Sequence, residues 1–296
     1  IEENLPQYGR VGVGRDDGAE KGEFMAVYYL RDRFELLDSG TFWLSETPDK
    51  VSRGWDGACN RTVTWVELKD RKSGKEFFYF NTHLDHKGKA AREEGVKLLI
   101  EKIHEIAGKK APAIVGGDFN TPVDSPIFKP LTKYMVSARA KAATTDHKGT
   151  FNGFGSAPDT IVIDHLYYRG KLKCQLFATL DGNYGAPYIS DHYPIAMVFN
   201  TKKSRSANSG IFRIAGRPGY PFRLRRTTTD TAATISRMPA APFAVKGSAK
   251  TQTPITTAVS GSMAPKIEVS VGPMLLMACT SAMFETAVAG MATPRI

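Results

Sequence analysis

A short apolar run, Ile114-Val115, ends in Gly116 and Gly117 and then presents Asp118 and Asn120. On extended backbone alternate side chains share a face, so these two point the same way. Such a pair suits hydrolysis. Asp118 takes a proton from, or orients, an attacking water, and the Asn120 amide donates a hydrogen bond to charge developing on a phosphoryl oxygen. Gly, Asp, Asn and Pro are also ordinary turn residues, and the segment taken alone reads equally well as a turn.

Three further places offer related chemistry. Asp191 stands beside His192 just before the apolar run 195–199. An acid next to an imidazole at a strand mouth serves as metal-linked carboxylate and general acid/base, since His titrates near neutral pH. His83 closes an aromatic run, Phe77-Phe78-Tyr79-Phe80, and can donate to a phosphate oxygen or leaving group. Asp164 interrupts Ile161-Val162-Ile163, and a carboxylate in such a run is costly to bury unless it is paired. His192 is its natural partner, with Asp164 fixing the tautomer and raising the basicity of the ring. His165 points to the opposite face and is assigned no catalytic part, and His86 reads as a solvent-facing neighbour of His83. Each signal has a bland alternative: a polar loop before a proline, or a structural histidine at a strand end.

The elements that must hold these residues alternate along residues 22–200. Runs rich in aromatic and β-branched residues predict strands at 24–30, 34–44, 62–69, 76–84, 113–116, 161–169, 171–180 and 194–199. One long helix is predicted at 90–107, where Val96, Leu99, Ile100, Ile103 and Ala107 recur at helical spacing, and Gly108 is its stop. Strands outnumber long helices, so the class is α/β with a mixed or largely antiparallel sheet system.

Charge divides the chain. The formal net charge is +10, but residues 201–296 hold 13 of the 40 Lys+Arg and only 3 of the 30 Asp+Glu, leaving 27 of each in residues 1–200. The first 200 residues are therefore neutral, which argues against nonspecific polyanion binding by that part. Residues 201–296 are rich in Thr, Ala, Pro, Ser and Arg without sustained periodicity, and read as a low-complexity basic tail expected to be disordered. Their most apolar stretch, 274–291, contains Glu285 and Gly290 and falls short of the ~20 mainly apolar residues of a spanning helix. Cys59, Cys174 and Cys279 lie far apart, with none of the paired spacings of zinc sites or redox pairs. No signal peptide is visible at the start.

The ordered set Thr82-His83, Gly117-Asp118-Phe119-Asn120, Ile163-Asp164 and Ser190-Asp191-His192 resembles the endonuclease/exonuclease/phosphatase superfamily. That superfamily includes deoxyribonucleases, neutral sphingomyelinases, inositol polyphosphate 5-phosphatases and deadenylases. The likeness covers about residues 5–200, and the stretches 11–18, 40–48 and 55–65 are similar to an uncharacterised bacterial subfamily. It implies a four-layer α/β sandwich, two packed mixed β-sheets flanked by helices, and Mg²⁺- or Mn²⁺-assisted attack of water on phosphorus. Carried over, Asp118 orients the water and Asn120 stabilises the transition state. His83 contacts the phosphate, His192 with Asp164 acts at the scissile phosphoryl group, Asp191 lies at the metal side, and Arg61 faces the phosphate.

The resemblance also implies two opening strands, one carrying an Asn and one ending in a metal-binding Glu, that have no counterpart before Ile1. The catalytic domain at 1–200 is accordingly expected to be N-terminally incomplete, to lack its first strands and to be weakly active, the intact parent being the enzyme. The competing reading is a phosphate-binding module without turnover. Expected substrates are a phosphorylated small molecule, a lipid headgroup or nucleic acid, and the chain is expected to be a monomer. Export or a periplasmic location is implied by resemblance alone.

Overall fold

The computed structural model describes residues 5–182 and 186–201 and the backbone of three later strands. In chain order the strands are β1 (Tyr8–Val11), β2 (Val27–Leu30), β3 (Phe34–Trp43), β4 (Thr62–Asp70) and β5 (Glu76–His83). Helix α1 (Lys89–Ala107) leads to β6 (Ala113–Asp118). The short helix α2 (Lys129–Thr132), strand β7 (Val136–Ser137) and helix α3 (Ala138–Lys141) precede β8 (Asp164–Arg169), β9 (Leu172–Thr179) and β10 (Ile195–Thr201). Beyond these lie β11 (Phe212–Ala215), β12 (Arg223–Arg226) and β13 (Met274–Ala278).

Six strands form the main sheet in the order β3-β4-β5-β6-β8-β7. Its pairs are antiparallel except β5 with β6, which run parallel because α1 carries the chain back over the sheet between them. Alternation along β5 feeds two cores. Phe78 and Phe80 face α1, packing with Val96, Leu99 and Ile103, while Phe77 and Tyr79 face β9 and β10, packing with Phe177, Met197 and Phe199. Burying both faces explains why β5 and β6 read as near-continuous apolar runs. Truncating a side chain such as the fully buried Phe80 to Ala costs about 3–5 kcal/mol.

The second sheet has the order β13-β10-β9 and packs face to face with the first. The expected sandwich is thus present, and among the described residues its layers are α1, the six-stranded sheet and the smaller sheet. Of the expected tail, β11 pairs with β12 and β13 pairs with β10, Ile195 opposite Ala278. The remainder of the expected tail lies outside the described residues. No helix of the described residues is long and apolar enough to cross a membrane.

Helix α1 begins at Lys89 and stops at Gly108, whose φ of 60° suits glycine. Its start has no cap from its own N-cap residue; the Asp56 carboxylate instead accepts from Ala91 N at 2.7 Å and Ala90 N at 3.2 Å. Two expected strands begin later than the apolar pattern indicates, one at Val27 and the other at Asp164. Residues 161–163 bond to a crossing loop rather than to a ladder: Thr150 N and Phe151 N donate to Ile161 O, and Phe119 N donates to Ile163 O. The expected strand at 113–116 runs on to Asp118.

Candidate active site

Register places the chemistry. His83 lies opposite Asp118 across the parallel pair β5/β6, and Asp118 lies opposite Asp164 across the antiparallel pair β6/β8. Three adjacent strands therefore present His83, Asp118 and Asp164 in one row at one end of the main sheet. The loop before β10 adds His192, whose backbone is anchored by a bridge to Phe151 and whose ring meets the Phe151 ring edge-on at 5.0 Å. Close approach of the strands at this row depends on Gly117. Its φ is +138°, and a Cβ there would lie 1.8 Å from Thr82 O.

Asp164 and His192 form a buried pair, Oδ2 to Nδ1 at 2.8 Å. Burial disfavours charge on the His192 imidazole, but the hydrogen bond and charge of Asp164, with Asp118 and Asp191 beyond, outweigh it and lift the ring to about 9. Burial raises the Asp164 carboxyl, and the hydrogen bond from His192 only partly offsets this. The pair together holds its proton above neutral pH. With Nδ1 committed to Asp164, Nε2 of His192 faces Asp118 Oδ2 at 3.8 Å.

Asp118 is itself buried, which works against its ionisation. The hydrogen bond and charge of His83, the charge of His192 and the Asn120 N–H together hold its carboxyl below the usual carboxylate range. Oδ1 accepts from Asn120 N at 2.7 Å and Oδ2 lies 3.2 Å from His83 Nε2. Asn120 sits in the left-handed region at φ 46°, and its Nδ2 donates to Leu84 O at 3.0 Å. A non-glycine residue held there is a local cost of the kind found at functional sites.

Arg61 is buried beside this row, with Nη1 left without a hydrogen-bond partner. Nη1 points toward Glu23, whose Oε2 lies 3.9 Å away and also 3.5 Å from His83 Nδ1. Arg15 Nη1 meets the same Oε2 at 2.5 Å. The His83 imidazole beside it is the chief reason the Glu23 carboxyl falls to about 2, with Arg15 and Arg61 adding to it. His83 is consequently flanked by two carboxylates. Burial lowers its ring, but Asp118 and Glu23 together raise it above the ordinary histidine value.

All the residues singled out from sequence reach this end of the sheet except that Asp191 stands apart from the tightest cluster. Its side chain is half-buried, with Oδ1 accepting from Ser190 Oγ at 3.1 Å. Asp118, Asp164 and His192 offer three ligand atoms within 4.8 Å of one another. Carboxylate oxygens are hard donors of the kind a cation such as Mg²⁺ takes, and within this group Asp164 Oδ2 is committed to His192. His165 turns away, its Nε2 2.8 Å from Thr121 O, and burial lowers its ring to about 4.

Glu23 was missed by the sequence reading because it precedes a strand instead of interrupting one. Its context, Lys21-Gly22-Glu23 just before Phe24, carries no period that marks it. His86, read as a bystander, is exposed but has Nδ1 3.0 Å from Arg61 Nη2.

Comparisons with known proteins identify the family. The endonuclease/exonuclease/phosphatase family profile matches residues 7–192. An endonuclease/exonuclease/phosphatase from Bacteroides vulgatus is 38% identical, with a TM-score of 0.62 over 68% of this chain and 79% of that one. The mannosyl-6-phosphatase Bt3783 of Bacteroides thetaiotaomicron is 36% identical, with a TM-score of 0.61 over 66% of this chain and 77% of that one. An uncharacterised protein of Acanthamoeba polyphaga mimivirus is 25% identical over 210 residues, 67% of this chain and 78% of the viral one. With a match that spans well over half its length, this chain belongs to the endonuclease/exonuclease/phosphatase family.

Proposed function

We propose that the chain hydrolyses a phosphate ester of a small phosphorylated molecule by metal-assisted attack of water. The observation that carries this reading is the buried Asp164–His192 pair facing Asp118 across 3.8 Å, with Arg61 Nη1, which makes no hydrogen bond, and His83 beside it. A pre-arranged wall of donors opposite an ionised carboxylate is what transfer of a phosphoryl group to water requires.

In this mechanism Arg61 and His83 hold phosphoryl oxygens. Asp118, kept ionised, orients the attacking water and accepts its proton as the new P–O bond forms and the ester P–O bond breaks. His192, kept protonated by Asp164, donates a hydrogen bond where negative charge develops. Asn120 shares that task through the second hydrogen of its amide. Asp118 and Asp191 would hold Mg²⁺ or Mn²⁺, which when bound polarises a phosphoryl oxygen.

A small substrate is favoured over nucleic acid by two observations. Residues 1–200 carry equal numbers of acidic and basic side chains, so they lack the excess of cations that backbone phosphates select. The 36% identical neighbour is a mannosyl-6-phosphatase, which makes a sugar phosphate the first substrate to try.

The test is phosphate release by the full chain in Mg²⁺ from a hexose 6-phosphate, p-nitrophenyl phosphate and bis-p-nitrophenyl phosphate, beside a His192→Ala variant. Hydrolysis of the monoesters that EDTA and His192→Ala both abolish supports the reading. Hydrolysis of the diester alone shifts the assignment to a phosphodiesterase. No turnover of any of them, with inorganic phosphate still bound, makes the chain a phosphate-binding module.

A further inference from the structure

Two side chains next to the site are used by nothing in the mechanism above. Asp85 is buried, and His86 beside it is exposed. With Cys59 they place three metal-ligating atoms within 4.8 Å of one another. A metal is a poor fit for this group, because both Asp85 oxygens are already engaged. Oδ1 accepts from Gly88 N at 2.7 Å and Lys87 N at 2.9 Å, and Oδ2 accepts from Ala58 N at 3.0 Å and Cys59 N at 3.3 Å. Burial opposes ionisation of this carboxyl, yet these N–H donors hold it well below the usual carboxylate range.

The cation that this group serves is Arg61. Its Nε lies 3.5 Å from Asp85 Oδ2, and its Nη2 lies 3.0 Å from His86 Nδ1, which accepts as the unprotonated ring nitrogen. A guanidinium is planar, so fixing two of its three nitrogens fixes the direction of the third. The third is Nη1, buried and without a hydrogen-bond partner, on the side of Glu23 and His83. Asp85 and His86 lie two and three residues after His83 in the chain, so the segment at the end of β5 supplies both a phosphate contact and the clamp on the neighbouring one.

We propose that Asp85 and His86 are positioning residues that aim Arg61 Nη1 at a phosphoryl oxygen of the substrate. This rests on the reading of Arg61 as a phosphate ligand. Asp85 additionally ties the loop carrying Ala58 and Cys59 to the start of α1, so its carboxylate sets the place of Arg61 while His86 sets its rotation.

The experiment measures KM, kcat and the inhibition constant of inorganic phosphate for His86→Ala, His86→Gln, Asp85→Asn and Arg61→Ala, singly and with each of the first three combined with Arg61→Ala. Expected is a rise of about tenfold in KM and in the phosphate inhibition constant for His86→Ala and for Asp85→Asn, on the scale of one charge-assisted hydrogen bond. His86→Gln, whose carbonyl can still accept from Nη2, recovers part of the loss. In the Arg61→Ala background neither substitution weakens phosphate further. His86 is exposed, so its variants keep the test decisive even if Asp85→Asn unfolds. The proposal is overturned if Arg61→Ala weakens phosphate while His86→Ala and Asp85→Asn do not, or if their effects persist undiminished without Arg61. Phosphate binding and turnover both unaffected by Arg61→Ala would remove the phosphate-ligand reading itself.

Discussion

Asp118 Oδ2 lies 3.2 Å from Nε2 of His83, its register partner across the one parallel pair of the main sheet. Because His83 and His192 both keep Asp118 ionised, Asp118 is ready to take a proton at neutral pH. Asp118→Asn keeps the shape and removes that capacity. Turnover should fall about 10²–10⁴-fold, the range of a lost general base, with a far-ultraviolet circular dichroism spectrum like that of the parent. Retention of more than a tenth of the activity would show that the water is activated elsewhere.

The Asp164–His192 pair sets a pH dependence of definite sign. The His192 value of about 9 in the folded chain lies above its ordinary 6.5. The stabilisation from its protonated form is therefore complete below about 6.5 and is lost as pH rises through about 9. Activity should show a basic limb near pH 9. Asp164→Asn removes the group that raises His192, so the limb should move toward neutral pH as kcat falls. A basic limb that stays in place in Asp164→Asn would mean that another group titrates there.

Glu23 gives a separable prediction. It touches His83 on the nitrogen opposite to Asp118 and is itself gathered in by Arg15 and Arg61. Glu23→Gln should lower the His83 pKa, read by NMR titration of the ring, and reduce kcat by about tenfold, since its exposed side chain limits the strength of the contact. An unchanged His83 titration would leave Glu23 as a surface ion-pair partner of Arg15 only.

How much of this was legible beforehand depends on the range over which each feature is encoded. The helical recurrence from Val96 to Ala107 and the stop at Gly108 are local, and sequence carries local information directly. Asp118 and Asn120 do not share a face by strand alternation as expected, because β6 ends at Asp118 and Asn120 turns at φ 46° to give its N–H to Asp118 Oδ1. The row formed by His83, Asp118 and Asp164 is a matter of register between strands far apart in the chain, and no spacing within one strand reveals it. Asp164 misled as to position, because Ile161-Val162-Ile163 looks like strand while its hydrogen bonds go to Thr150, Phe151 and Phe119. Glu23 and His86 were illegible for a different reason. Each acts by reaching a partner distant in sequence, Glu23 to Arg61 and His83, and His86 to Arg61, and an exposed polar residue at a loop or strand end has no pattern to distinguish it.

Gly117 sits one step before Asp118 and tests how tightly the site depends on strand packing. A Cβ there meets Thr82 O at 1.8 Å and Thr82 C at 2.9 Å, both backbone atoms of a paired strand, at a φ that side-chain-bearing residues rarely adopt. Relief requires β5 and β6 to separate just where they place His83 and Asp118. Gly117→Ala should therefore cost about 3 kcal/mol or more in urea unfolding and abolish activity. Gly74 supplies the control, because it also has a positive φ, +67°, but nothing lies within 4 Å of its added Cβ. Gly74→Ala should cost only about 1–2 kcal/mol, the backbone penalty alone, and leave kcat unchanged. Equal destabilisation by the two substitutions would mean that backbone strain, rather than contact between the catalytic strands, governs the Gly117 position.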